Sequence, residues 1–152
     1  MNIEIFSLCD AATADFGKMN LLGAFDTVGT RLFPLIYPQC AIALRIRFES
    51  IESGRHVVTL RLVDEDGRQI IPELRNESVV QIPPSQKSGS ANLILNLQGI
   101  KFEKPGTFSI DLAIEGRQEA SLPLFVRQAP ELPAPPNVPP FEAPAEPDLP
   151  SL

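Results

Sequence analysis

Through five stretches of the chain the apolar residues fall at every second position, the period that lines one face of an extended strand. The clearest is CAIALRIRFE, where Cys40, Ile42, Leu44, Ile46 and Phe48 share one face and Arg45, Arg47 and Glu49 share the other. HVVTLRLV turns Val58, Leu60 and Leu62 inward and Thr59 and Arg61 outward. ANLILNL groups Leu93, Leu95 and Leu97; TFSIDLAIE groups Phe108, Ile110, Leu112 and Ile114; EASLPLFV groups Leu122, Leu124 and Val126. A helix needs apolar residues three and four apart, and these stretches do not have them.

The connections are short and built from turn residues. VDEDGRQI and IEGRQE place Gly67 and Gly116 where a tight hairpin needs positive φ, and EKPG turns through Pro105 and Gly106. At the start, IEIFSLCDAAT and KMNLLGAFDTV are two strand-compatible runs joined by ADFG, with Gly17 closing a four-residue loop. Cys9 shares parity with Ile3 and Ile5 and is expected to point inward, although Phe6 and Leu8 are apolar on the other parity and a bulge would switch the faces. These features predict an all-β fold: an antiparallel two-sheet sandwich of seven to nine strands, immunoglobulin-like in kind.

Composition adds a boundary. From Gln128 the chain reads QAPELPAPPNVPPFEAPAEPDLPSL and holds nine of the 16 prolines, which fix φ and lack an N–H donor. The expected organisation is therefore a β-sandwich domain over 1–127 and an extended, acidic, Pro-rich tail over 128–152. Charge follows the same division. The whole chain carries −6, but the tail has four acids and no base, which leaves residues 1–127 with 13 bases against 15 acids. An acidic chain is repelled by nucleic acid and by anionic membranes, so neither is expected as a partner. No stretch approaches the apolar length of a membrane span, and MNIEIFSLCD lacks the basic start of a signal peptide, which predicts a cytoplasmic location.

Candidate chemistry is sparse. His56 is the only histidine, so every dyad, triad or zinc site has to run through it. Its parity with Val58 and Leu60, directly after SGR, reads as a histidine at a strand start. Cys9, Cys40 and His56 show none of the paired spacings that fix two metal ligands on one turn, so no metal and no cofactor are expected. Cys9 reads as a buried structural thiol, and a bond to Cys40, though geometrically open if the two strands are neighbours, is not expected in a cytoplasmic chain. DEDG at 64–67 resembles part of a calcium loop but lacks the distal glutamate. SQKSGSAN lacks the strand and helix that frame a phosphate loop. Zero Trp and the single Tyr37 weaken a sugar-binding reading.

Two places read as contact surfaces. RQAPELP fits the Arg-x-apolar-Pro-x-apolar-Pro spacing of a polyproline ligand, with Arg127, Pro130 and Pro133 presented to an aromatic groove. FPLIYPQ brackets Leu35, Ile36 and Tyr37 between prolines in a predicted loop before the clearest core strand, an apolar patch if exposed.

The stretches LCDAAT…GKMNLLGAFDTV, FPLIYPQCAIALRIRFE and PGTFSIDLAIEGRQEASLPLFVRQ together resemble a family of small bacterial proteins of unknown function, over about residues 2–128. The final hairpin is also similar to the last two strands of immunoglobulin-like domains, with Phe108 standing where those domains often carry tyrosine. The resemblance implies a β-sandwich and supplies no activity. The expected function is a non-catalytic protein-interaction or scaffold module that works through a sheet edge, a sheet face or the tail. Its partner would be a protein, with a second copy of the chain as one option. The alternative is a small enzyme using Cys9 or His56.

Overall fold

The computed structural model describes residues 1–130. These residues form nine strands: β1 (Asn2–Asp15), β2 (Lys18–Ala24), β3 (Thr27–Thr30), β4 (Leu35–Glu49), β5 (Gly54–Val63), β6 (Leu74–Val80), β7 (Ser88–Phe102), β8 (Gly106–Ile114) and β9 (Arg117–Gln128). A single 3-10 turn, Ser50–Glu52, links β4 to β5, and no α-helix occurs among the described residues. The all-β expectation is met, with two sheets. One has the order β2-β1-β4-β7, and the other the order β3-β9-β8-β5-β6, the latter curling into a half-barrel. Among the described residues no helix is long and apolar enough to cross a membrane.

The hairpin turns follow from backbone chemistry. Phe16 and Gly17 both take positive φ (47° and 74°), as do Glu115 and Gly116 (51° and 77°). Two such residues between paired neighbours Asp15–Lys18 and Ile114–Arg117 give the two-residue turn whose twist matches the flanking strands. The first loop is thus shorter than the four residues of ADFG. One pairing departs from the antiparallel expectation: β3 runs parallel to β9, from Thr27 opposite Phe125 to Thr30 opposite Gln128. Local alternation carries no information about such a long-range partner. The KMNLLGAFDTV run breaks at Phe25–Asp26, and its last residues cross to the other sheet.

The inward stripes of both sheets form one core. Leu44 and Leu112 have no exposed surface, and Ile42, Phe48, Leu60, Ile110 and Val126 are buried beside them. Phe102 of β7 meets Phe108 of β8 edge-on across the sheets, with ring centroids 4.9 Å apart. Burying a side chain of this size stabilises by about 1.5–3 kcal/mol, so these stripes account for the pairing of the two sheets.

Cys9 faces away from that core, which corrects the expected parity. The β1–β4 register shifts between Ile3 and Ile5, and the extra residue reverses the sides. Beyond it Phe6 and Leu8 oppose Leu44 and Ile42 on the core side, while Cys9 opposes Ala41 on the outer side. Cys9 is nonetheless fully buried, in a second cluster with Ala41 and Ala43.

The cover comes from the chain's own β1–β2 hairpin. Ala12, Met19 and Leu21 pack on the small-residue platform together with Ile94. The Arg45 guanidinium donates to the Gly17 carbonyl at the hairpin tip, 3.1 Å away. Arg45 sits opposite Ile5, and in a straight strand Gly17 would lie twelve residues further on, roughly 40 Å away. The hairpin therefore bends back over the outer face. The bend falls at Asp10 and Gly23, where Gly23 has φ 66° and an added Cβ would fall 2.3 Å from Asp10 Oδ2. Filling the platform tests this arrangement: Ala43→Leu should overpack the hairpin contact and lower stability by about 1–3 kcal/mol in urea denaturation. A change below about 0.5 kcal/mol would mean that the face is open.

Candidate functional site

The titratable cluster with most chemistry is built where β4 hands over to β5. Glu49 and Glu52 bracket the 3-10 turn in a capping box, the Glu52 carboxylate accepting the Glu49 N–H at 2.8 Å. That carboxylate also accepts from the Met1 amino group at 2.8 Å, and these two bonds hold it below the ordinary glutamate range. Four residues beyond Glu52, His56 folds its ring back so that Nε2 lies 2.7 Å from the Glu52 carbonyl oxygen. A carbonyl only accepts, so Nε2 carries the proton. The ring stacks on Phe48, centroids 4.3 Å apart, and Nδ1 lies 3.5 Å from Glu115 Oε1. Glu115 Oε1 in turn accepts the Val57 N–H at 2.8 Å. Arg117 and Glu119 complete an open depression around these groups.

Cys9 does not reach it. Its strand partner Ala41 lies seven residues along β4 from Phe48, about 23 Å at strand rise, and His56 stacks on Phe48. The two thiols are separated as well: Cys40 belongs to the core between the sheets and Cys9 to the outer cluster, and both are free. Burial pushes the Cys40 thiol up to about 11 and raises that of Cys9, with the Asp10 carboxylate adding to each.

The expected contact residues are dispersed. Leu35, Ile36 and Tyr37 lie in β4 itself and not in a loop. Strand alternation splits them: Leu35 and Tyr37 pack against the core while Ile36 is 63% exposed. Tyr37 also tilts against Phe25, 5.8 Å between centroids. The Arg127 guanidinium covers the Phe125 ring at 5.2 Å. Pairing continues past it, since Gln128 is in β9 and the Ala129 N–H donates to the Thr30 carbonyl at 2.8 Å. Pro130 is exposed, and Pro133 and the rest of the tail from 131 lie outside the described residues.

The acidic residues are absorbed by neighbouring backbone N–H groups and hydroxyls. Asp64 Oδ1 accepts the N–H groups of Asp66 and Arg68, each at 2.9 Å, which folds the DEDG turn on itself. Asp111 accepts the hydroxyls of Ser109 and Ser121 at 2.7 and 2.8 Å. Among the described residues no three His, Cys, Asp or Glu side chains converge for a metal ion. Missing from the sequence reading is a clamp on the outer face, where Glu4 accepts from Arg45 at 2.8 Å and from Arg47, while Arg45 also holds Asn92 at 2.8 Å. Arg45 and Arg47 are visible as an outward pair, but Glu4 meets them only because of the bulge.

A family model matches residues 4–127, from the clamp glutamate in β1 to the guanidinium over Phe125 in β9. The chain belongs to DUF6941, a family of unknown function. No curated protein matches it. All nine strands thus fall wholly or largely within the DUF6941 domain, and the matched span excludes the Pro-rich tail.

The clamp gives the DUF6941 domain a pH signature. Hydrogen bonds from Arg47 and then Arg45 hold the Glu4 carboxyl below the ordinary 4.5. A depressed folded-state value stabilises above about pH 4.5 and is lost as pH falls through the folded value. Glu4→Gln should therefore be less stable than wild type at pH 7, with the gap closing in acid, as read by denaturation at a series of pH values. A constant gap would remove the ionic contribution. The thiols make a second check. Both should react slowly with a thiol reagent in the native protein, and Arg45→Met should speed Cys9 by releasing the hairpin while leaving Cys40 slow.

Proposed function

We propose that the domain is a non-catalytic protein-interaction or scaffold module, acting through a sheet edge, a sheet face or the Pro-rich tail. The observation that carries this reading is the separation of the candidate nucleophile from the candidate base. Cys9 is sealed under a hairpin, and His56, about 23 Å away by strand rise, is engaged by the Glu52 carbonyl, the Phe48 ring and Glu115. Nucleophilic catalysis needs the two within hydrogen-bond reach. Among the described residues the sheets, by contrast, end on unpaired strand margins, the usual sites of strand addition.

The same reading takes the two sheets as an immunoglobulin-like sandwich working in the cytoplasm. The shared core and the β8–β9 hairpin support the first, and two free, buried thiols support the second. Arg127, Pro130 and Pro133, as a proline-ridge ligand, remain the route by which the tail would act.

The test separates binding from chemistry. Cys9→Ser and His56→Gln chains, checked for fold by circular dichroism, should sustain the cellular output of the wild-type chain in a strain lacking it. Loss of that output in a correctly folded Cys9→Ser chain would overturn the module reading. Ending the chain at Pro130 should change folding stability by less than about 1 kcal/mol in chemical denaturation, because it leaves β9, which ends at Gln128, whole. A larger loss would place the tail within the folded unit.

A further inference from the structure

β7 ends its sheet. It pairs with β4 from Phe102 opposite Leu35 to Ser88 opposite Glu49, with one break at Pro38 and Gly99 where both strands exchange faces, and no strand among the described residues pairs with its other side. Fifteen residues make an edge of roughly 50 Å, about twice that of the seven-residue margins β2 and β6. Natural edges are blunted by charge, proline or shortness. β6 carries Arg75 and Glu77, and β9 carries Pro123 beyond the reach of β3. Ser88 to Gly99 of β7 carries neither charge nor proline, and its central Leu93, Ile94 and Leu95 are half-buried.

We propose that β7 is a dimerisation edge, pairing antiparallel with β7 of a second copy across a two-fold axis through Leu95. This deepens the interaction-module reading and rests on it. Opposed residues in an antiparallel pair either both point their N–H and C=O groups at each other or both away. A residue therefore meets a partner of its own parity, and the axis passes through a residue and not between two. Leu95 is the midpoint of Ser88–Phe102. In this register Leu93 opposes Leu97 of the second copy and Asn92 opposes Gln98, so between Asn92 and Gln98 the core stripe meets core stripe and the outer stripe meets outer stripe; beyond Gly99 (φ 62°) β7 exchanges its faces, and the match is confined to this central segment.

The flanking charges select the same register. With the axis at Leu95, Lys87 of each copy, one residue before β7, comes level with Glu103 of the other, one residue after it, which within its own chain pairs with Lys101 at 2.7 Å. A shift of the axis to Ile94 sets Lys87 opposite Lys101 at both ends, and like charges directly opposed are destabilising. A shift to Asn96 carries Lys87 past the strand to Pro105. The charge of −2 on residues 1–127 leaves little general repulsion between copies. Matched length, a central segment over 92–98 whose faces match, and complementary ends fit a second copy better than a foreign strand.

Sedimentation equilibrium of the full chain, from micromolar to several hundred micromolar, tests the proposal. The expected species has twice the 16.6 kDa chain mass. Asn96→Lys places a charge in the middle of the edge, at an exposed position, and should abolish the dimer. Lys87→Glu and Glu103→Lys, both at exposed sites, should each weaken it roughly tenfold, counting the two symmetric ends. The double swap Lys87→Glu/Glu103→Lys should restore it. A monomer throughout overturns the proposal, as does a dimer indifferent to all these changes. In either case the module reading keeps its own test, because the cellular output of Cys9→Ser is measured independently of mass.

Discussion

Strand β4 has to be buried on both faces, and the rest of the structure is arranged around that requirement. Its inward stripe of Cys40, Ile42, Leu44, Ile46 and Phe48 carries the sheet-to-sheet core. Its outward stripe is divided. Ala41 and Ala43 are small enough to let a hairpin lie close against them, while Arg45 and Arg47 further along are long enough to hold its tip and the Glu4 carboxylate. Neither half works with the chemistry of the other. Bulky residues at 41 and 43 would hold the hairpin off, and alanines at 45 and 47 would leave its tip without a donor.

The two sheets remain open, so their margins need separate solutions. β9 is covered at its end by the parallel strand β3, and upstream of that Pro123 removes a donor from the margin. The β1–β2 hairpin turns its margin over the outer face at Gly23. Side chains of Ile70, Ile71, Leu74 and Ile82 close the core on the β6 side. β7 receives none of these devices along its central residues. The contrast among margins of one molecule, more than the openness of any single strand, makes this edge distinctive.

The alternation of apolar residues made five strands and the core legible, because period-two burial is a local property that survives whatever the strands pair with. Leu44, Leu60, Leu112 and Leu124 all point where their parity puts them. Non-local facts were harder to read. The parallel β3–β9 pair depends on four residues, Thr27–Thr30, too few for a pattern. The short polar β6, LRNESVV, alternates too weakly to stand out. For the candidate site, the buried thiols and the structural histidine were readable from residue type. The side on which Cys9 is buried was not, because one bulge residue near Glu4 decides it. Leu35, Ile36 and Tyr37 illustrate the opposite error: proline brackets suggested a loop, yet the strand runs through Pro38, which faces Gly99 with φ 62° in β7.

The polar groups of the domain are used largely to set its geometry. Glu52 caps a turn, Asp64 folds a loop, Glu115 accepts a strand N–H, and Glu4 fastens two arginines. Among the described residues no polar or charged side chain is buried and no buried polar atom lacks a partner. Active sites ordinarily violate this economy, holding groups in environments that shift them toward reactivity. Here the thiols, the nucleophilic groups inside, are shifted away from it by burial. A structure that fixes its ionisable groups in this way and, among the described residues, leaves the neutral stretch Ser88–Gly99 of a long strand margin without a partner strand concentrates its unsatisfied bonding capacity in the backbone, where the available chemistry is the addition of another strand.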